Sequence, residues 1–422
     1  MDKSILENIV IDQFEKISKK STGYGRNIPA FSNSFLNHKI NIIITGHRRV
    51  GKSTFLHQII FKHFKDNFYY LDFSDERLIG FEVSDFQLLY EIFLEAFGKK
   101  QIFFFDEIQG KKHWDKFVNR MYEQGRRFFI TGSNAELLSK EISTFLTGRH
   151  FDILIFPFSF FEFVSYNSSL PSIKSTAGKA QYSNYLKDFI KNGGFPEVVV
   201  YRELAILSSI YDDVINKDIL SRYDIKDPVS FKKLSLFLIS NFSKEFSYTS
   251  LKKTFGLGST NTAKNYVSYL CNTYLLFEIQ KYDYSLKAQE NYSKKIYCVD
   301  TGLINSLAFS FSDNLGKFYE NIVCIELLRR NNKIYFWKDD KNLETDFLIL
   351  KNNKIIEAIQ VCYEINDPKS KEREIAALLS SLNKFKLNSG LIINRDLDKT
   401  EIHSGKKIIY IPLWKWLIMY YL

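Results

Sequence analysis

Between residues 35 and 165 the chain alternates short apolar runs with longer amphipathic ones. The apolar runs cover 39–45, 67–74, 100–107, 126–133 and 151–158. They lack the polar alternation of half-exposed strands, so they read as strands covered on both faces. Segments of helical period separate them, for example SDFQLLYEIFLEAFG over 84–98. This alternation predicts a parallel, doubly wound sheet. Residues 183–290 predict mostly helix. One helix in 182–199 is ended by Gly193, Gly194 and Pro196. Residues 247–283 read as helix, glycine turn, helix and strand, the order of a winged helix-turn-helix. Alternation returns over 317–422. A helix near 316–330 leads to strands at 332–340, 344–351, 354–364 and 390–396, with a helix at 369–385 before the last. The apolar end, 408–422, reads as a buried strand and a terminal helix.

A polar stretch rich in Ser, Pro and Gly, from Asn167 to Tyr182, marks the clearest boundary. A weaker one lies near 305–316. The expected domains are therefore 1–166, 167–305 and 306–422.

Composition changes this picture little. Of 422 residues, 45% are hydrophobic and 25% charged, an ordinary globular balance. A net charge of +10 permits a nucleic-acid or acidic partner, and equally a lysine-rich solvated surface. Cys271, Cys298, Cys324 and Cys362 stand in no metal-binding spacing and read as reduced thiols of a cytoplasmic protein. The charged first twenty residues lack the apolar centre of a signal peptide. No run reaches the roughly 18 apolar residues of a membrane span, so no membrane insertion is expected.

The strongest chemical signal is Gly46-His47-Arg48-Arg49-Val50-Gly51-Lys52-Ser53, which fits G-x-x-x-x-G-K-[ST]. It sits where an apolar strand ends and a helix, opening with Ser53 and Thr54, begins. Glycines let backbone N–H groups curl around a phosphate. Lys52 offers charge to the β- and γ-phosphates, and the Ser53 hydroxyl suits Mg²⁺. The helix start adds its positive dipole end. Further on, Asp106 and Glu107 close the apolar strand FFFDE. Asp106 is the expected partner of Ser53 around Mg²⁺, and Glu107 the group that orients or deprotonates water. Ser133 and Asn134 end the next strand. Asn134 is placed to touch the γ-phosphate or the water, with a simple turn as the plainer reading. Arg149 is a candidate cation for the transferred phosphate, in this chain or in a neighbouring copy. The expected cofactors are ATP and Mg²⁺.

With these motifs in hand, the chain resembles the prokaryotic AAA-type ATPases that carry a C-terminal DUF4143 domain. The resemblance rests on GHRRVGKS, FFFDEIQGKKHW, the run 129–163, NGGFPEV, YLCNTYLLFEIQKYD, KKIYCVDTGL, YENIVCIELLRR and ETDFLI, in that order. It implies an α/β P-loop NTPase domain with helices on both faces of a parallel sheet. A helical or winged-helix middle and a C-terminal domain like the PD-(D/E)XK nucleases would follow. It also implies nuclease-type positions at Glu320, Asp346, Gln360 and Cys362. Gln360 then stands where an acid is expected and Cys362 where a lysine is, so cleavage of nucleic acid is not expected. Glu357 is a second carboxylate, differently spaced.

The second helix of the winged-helix pattern begins with Ser259, Thr260, Asn261, Lys264 and Asn265, with Val267 and Leu270 on its apolar side. Short polar residues and a lysine suit groove and phosphate contacts. Lys252, Lys253, Lys281, Lys287, Lys294 and Lys295 would add a positive field. DNA contact through residues 247–295 is one expected output. An ATP-gated switch for a protein partner or a second copy of the chain stays open beside it, and an ATP-regulated nuclease is the third reading.

Overall fold

The computed structural model describes residues 1–19, 22–134, 148–308, 315–365 and 367–422. The stretch 135–147 of the motif run, and part of the weaker boundary near 305–316, lie outside them. The chain divides into two compact units, where the sequence pattern suggests three. One is Met1–Phe156 with Asn272–Tyr274, and the other is Pro157–Cys271 with Leu275–Leu422.

The first unit is built on a five-stranded sheet: β1 (Asn41–Gly46), β2 (Tyr69–Asp72), β3 (Ile102–Asp106), β4 (Arg127–Gly132) and β5 (His150–Ile155). Their order is β2-β3-β4-β1-β5 and every pairing is parallel. The side-chain period of two explains the run of phenylalanines in β3. Phe103 and Phe105 enter a core shared with helices Lys3–Lys19, Asp85–Phe97 and Trp114–Glu123. Phe104 stands against Phe129 at 4.7 Å and Phe64 at 5.4 Å, outside that core. Each fully buried phenylalanine contributes about 1.5–3 kcal/mol, so the strand needs apolar residues on both sides.

The helix Lys3–Lys19 carries buried Leu6, Ile9, Val10, Gln13 and Ile17 at helical spacing. Reading the N-terminus only for a signal peptide overlooks this stripe. Gln13 also finishes the sheet edge. Its amide accepts from the Asp72 N–H at 2.7 Å and donates to the Asp72 carbonyl at 3.1 Å. Backbone groups of edge strand β2 are thereby satisfied by a side chain.

The second unit holds two sheets. β6 (Lys244–Phe246), β7 (Leu276–Gln280) and β8 (Lys294–Cys298) form an antiparallel sheet in the order β6-β8-β7. Helices Pro228–Ser240, Tyr248–Phe255, Thr260–Asn272 and Leu286–Asn291 interleave with it in the order helix, strand, helix, helix, strand, helix, strand. The other sheet is six-stranded, from β9 (Lys333–Lys338), β10 (Glu344–Lys351), β11 (Lys354–Val361), β12 (Ser389–Asn394), β13 (Lys399–His403) and β14 (Lys406–Pro412). Its order is β13-β14-β12-β11-β10-β9, with parallel pairing only at β11–β12 and β12–β14. Helix Leu315–Arg329 precedes it and helix Pro368–Lys384 packs on it. The helix Leu413–Met419 follows β14, as the apolar C-terminal pattern predicts. Among the described residues no helix is long and apolar enough to cross a membrane.

The glycine pair after helix Thr176–Asn192 has a specific reason. Gly193 has φ +74°, and a Cβ there would lie 1.9 Å from Asp300 Oδ1. The buried Asp300 carboxylate accepts from the N–H of Gly194 at 2.6 Å, Gly302 at 2.9 Å and Leu303 at 3.2 Å. It therefore caps helix Thr301–Leu307 and holds the glycine turn at once. Asp300→Ala, which strands three buried donors, is expected to cost about 2–4 kcal/mol, with Gly193→Ala costing a similar amount. Urea unfolding followed by circular dichroism measures both, and a loss near zero in either would mean the clamp does not hold this turn.

Candidate functional site

At the carboxyl end of β1 the chain turns sharply into helix Lys52–Ile59. Gly46 has φ +149°, and a Cβ there would lie 2.2 Å from the Ile155 carbonyl of β5, so only glycine fits. Gly51 at φ +93° opens the helix with no side-chain cap. The first helical N–H groups are thus not capped from the Gly51 position, the arrangement that receives an anion. Arg49 also has positive φ, at 62°. His47 and Val50 are buried, while Arg48, Ser53 and Thr54 are half-exposed.

The carboxylates approach from β3. β4 lies between β3 and β1, so three strand ends converge on the loop. The Lys52 side chain is only 4% exposed, and its ammonium lies 3.3 Å from Glu107 Oε1 and donates to the His47 carbonyl at 3.2 Å. Glu107 has φ 51°, a strained setting for a non-glycine residue and one that recurs at functional sites. Its N–H donates to Thr131 Oγ1 at 2.9 Å, and the Gln109 amide donates to its Oε2 at 2.5 Å. Burial works against ionisation of Glu107. The charge of Lys52 and the Gln109 amide overcome it and hold the carboxyl below the usual value.

Asp106 has the opposite setting. It is fully buried, and burial, then the charges of Asp72 and Glu107, push it up to about 7. Asp72 pairs directly with it across β2 and β3. The hydroxyls of Thr131 and Ser53 donate to its carboxylate, and that of Tyr70 reaches it at 3.4 Å. Ser53 and Asp106 therefore meet, as their spacing in the sequence predicts. Two touching oxygen donors with surplus negative charge fit a hard cation such as Mg²⁺.

Asn134 is wholly buried just past the end of β4, beside Ser133, whose Oγ accepts from Gln109 at 3.3 Å. Arg149 does not reach this site in its own chain. It precedes β5, whose His150 pairs with Asn41 at the start of β1, whereas Gly46 pairs with Ile155. Five residues of strand, about 17 Å, separate the two edges. There Arg149 donates to Asn119 at 2.6 Å, pairs with Glu123 at 3.3 Å and covers the Tyr122 ring. Residues that the motifs do not reveal complete the site. Thr131 lies in the motif run but is recognisable only once β4 is seen beside β3. Arg26 has no local signature. It donates to the carbonyls of Val50 at 2.6 Å and Phe156 at 2.9 Å, tying the loop to the segment after β5.

In the second unit, Thr260, Asn261, Lys264 and Asn265 are exposed, as are Lys252, Lys253 and Lys287. Lys294 and Lys295 are buried, so they do not belong to a surface field. Lys294 donates to the carbonyls of Glu290 and Tyr292, and Lys295 turns to Glu320, Glu344 and Asp346. The nuclease-type positions come together without forming the expected site. Gln360 donates to Glu374 at 2.5 Å, and its oxygen accepts from the Asp346 N–H at 3.4 Å. The Cys362 thiol donates to the Glu364 carbonyl, and burial pushes it up to about 12. Glu357, at odd spacing from Gln360 on β11, belongs to the opposite face.

A phosphate loop and an acid-ended strand, separated by one polar-ended strand of a parallel sheet, define a P-loop NTPase. The AAA domain family matches residues 38–164, a domain of unknown function (DUF8612) matches 183–336, and DUF4143 matches 315–415. The uncharacterised protein MJ1544 of Methanocaldococcus jannaschii is 38% identical over 439 residues, spanning 100% of this chain and 97% of its own. An uncharacterised protein of Haemophilus influenzae is 32% identical over 388 residues, spanning 88% of this chain and 93% of its own. This chain belongs to that family of AAA-domain proteins with a C-terminal DUF4143 domain. Among solved structures, the replication initiator DnaA bound to AMPPCP and single-stranded DNA aligns with 63% of this chain and 90% of its own, at 14% identity and a TM-score of 0.24. AMPPCP-bound DnaA from Aquifex aeolicus gives 62%, 90%, 14% and 0.22. Similarity that weak carries no functional weight.

Because Arg26 braces the loop through backbone carbonyls, Arg26→Ala is expected to weaken nucleotide binding about tenfold, equivalent to about 1.4 kcal/mol. A titration with a fluorescent ATP analogue measures this, and unchanged affinity would remove Arg26 from the site.

Proposed function

We propose that this protein is an ATPase that binds ATP with Mg²⁺ at residues 46–54 and hydrolyses it, and that its second unit contacts nucleic acid. The observation that carries the ATPase reading is the convergence of Lys52 with Glu107 and of Ser53 with Asp106 at one sheet edge. Ser53 and Asp106 are the residues to hold Mg²⁺, which when bound supplies Lewis-acid charge to phosphate oxygens. Gly46 through Thr54 wrap the phosphates with backbone N–H groups, and Lys52 neutralises their charge. Glu107 is the general base. As long as Lys52 faces it, the ammonium depresses its basicity. A phosphate that draws Lys52 away leaves Glu107 able to take a proton from water. Gln109 and the Thr131 hydroxyl hold Glu107 in its strained conformation, and Asn134 is the polar group beside the attacking water.

Nucleic-acid contact rests on the helix–strand–helix–helix–strand–helix–strand element, read as a winged helix. Its helix Thr260–Asn272 opens with exposed Thr260, Asn261, Lys264 and Asn265, and Lys252 and Lys253 are exposed on the helix before. The burial of Lys294 and Lys295 thins the positive field. That keeps a switch for a protein partner as the second reading. The four cysteines are free thiols, which accords with a reducing cytoplasm.

The test is ATP turnover by the purified chain with and without duplex DNA. Lys52→Ala is expected to lose binding and turnover by about 100-fold or more. Glu107→Gln should still bind ATP while turnover falls about 10²–10⁴-fold. DNA binding should weaken steeply as salt rises. Turnover unaffected by Glu107→Gln would overturn the assignment of the base. Turnover indifferent to DNA, with no salt-sensitive binding, would shift the output to a protein partner.

A further inference from the structure

Away from the phosphate loop, the second unit buries a charged cluster that the ATPase reading does not use. Lys295 on β8 has a side chain only 4% exposed. Its ammonium lies 2.8 Å from Glu320 Oε1 of helix Leu315–Arg329, 3.4 Å from Asp346 Oδ1 of β10, and in direct contact with Glu344 Oε1 of β10. Three carboxylates from two elements thus converge on one point, and a cation of the protein's own fills it. The arrangement is closed by further donors. The Tyr297 hydroxyl donates to Glu320 Oε1 at 2.7 Å, the Val361 N–H to Asp346 Oδ2 at 2.9 Å, and Lys338 pairs with Glu344 Oε2 at 3.0 Å. The ring of Phe336 lies 5.6 Å from the ammonium.

We infer that Lys295 is the resident cation of this carboxylate site, and that the site accepts a divalent metal only when the lysine is removed. Three features carry this. The ammonium stands at the point toward which the carboxylate oxygens turn, and a metal at about 2.0–2.5 Å from the same oxygens would need that volume. One lysine balances only part of three carboxylates. Gln360, the residue nearest to completing a metal shell, is committed to Glu374 and the Asp346 backbone. The native C-terminal sheet therefore has no metal-activated hydrolytic centre. The cluster instead ties β8 of the three-stranded sheet to β10 and helix Leu315–Arg329. Removing one partner of such a buried group is strongly destabilising. None of this depends on the ATP site.

The probe is Mn²⁺, added to nucleotide-free protein and followed by electron paramagnetic resonance of the free ion, with thermal unfolding alongside. The native chain and Asp346→Asn should bind Mn²⁺ identically up to about 1 mM. Lys295→Met should unfold at lower temperature than the native chain. It should gain one Mn²⁺ site and recover by about 5 °C or more when the ion is added. The double variant Lys295→Met/Asp346→Asn should lose that site, and Lys295→Arg, which keeps the charge, should gain none over the native chain. Mn²⁺ bound by the native chain and lost in Asp346→Asn would overturn the inference, as would a folded Lys295→Met that binds no more than the native chain. If Lys295→Met does not fold, the native and Asp346→Asn comparison still tests whether the native cluster holds metal.

Discussion

At the carboxyl edge of the parallel sheet, the ammonium of Lys52 and the carboxylate of Glu107 are held 3.3 Å apart with the lysine almost wholly buried. The ammonium is not tolerable alone in that place, because an unpaired buried ion costs several kcal/mol. The pair therefore constrains everything that delivers it. β1 must end where helix Lys52–Ile59 begins, and β3 must stop one residue before Glu107. β4 must lie between them to supply Thr131, whose hydroxyl accepts from Glu107 N–H and donates to Asp106. The loop glycines and the brace from Arg26 keep Lys52 at its distance. A ligand that competes for Lys52 would disturb one balanced interaction.

The two neighbouring carboxylates, Asp106 and Glu107, behave oppositely for physical reasons. Glu107 faces Lys52 and an amide, and its charged form prevails despite burial. Asp106 faces Asp72 and Glu107, and the compensation from the Thr131 and Ser53 hydroxyls is smaller, so burial wins. Adjacent groups with diverging proton affinities are a mark of functional sites. The Lys295 cluster obeys the same electrostatics with another outcome. There the cation is permanent, and the carboxylates are tied to neighbouring N–H, hydroxyl and ammonium groups.

Much of this was legible along the chain. The apolar runs, the helix periods, the loop from Gly46 to Ser53 and the Asp106–Glu107 pair are local patterns, and local physics suffices for them. The contact of Ser53 with Asp106 follows once both lie at the same edge of a parallel sheet. Arg149 illustrates where such reasoning ends. Its neighbourhood in the sequence suggests a phosphate contact, but a strand has two ends, and within its own chain Arg149 precedes β5 where the loop meets its far end. Lys294 and Lys295 look like surface charge in the sequence because lysine is seldom buried, a rule that fails when carbonyls or carboxylates wait inside.

The sequence by itself determined the class of site, because a glycine-rich loop between strand and helix is a property of consecutive residues. It also determined which residues could hold phosphate and a hard cation. Tertiary structure alone decided which charges neutralise which. Arg26 reaches Val50 and Phe156, Thr131 serves both Asp106 and Glu107, and Lys295 fills an acidic cluster built from helix Leu315–Arg329 and β10. These pairings join residues far apart in the chain. They form because a buried charge must find a partner in space, and spacing along the chain does not show where that partner will be.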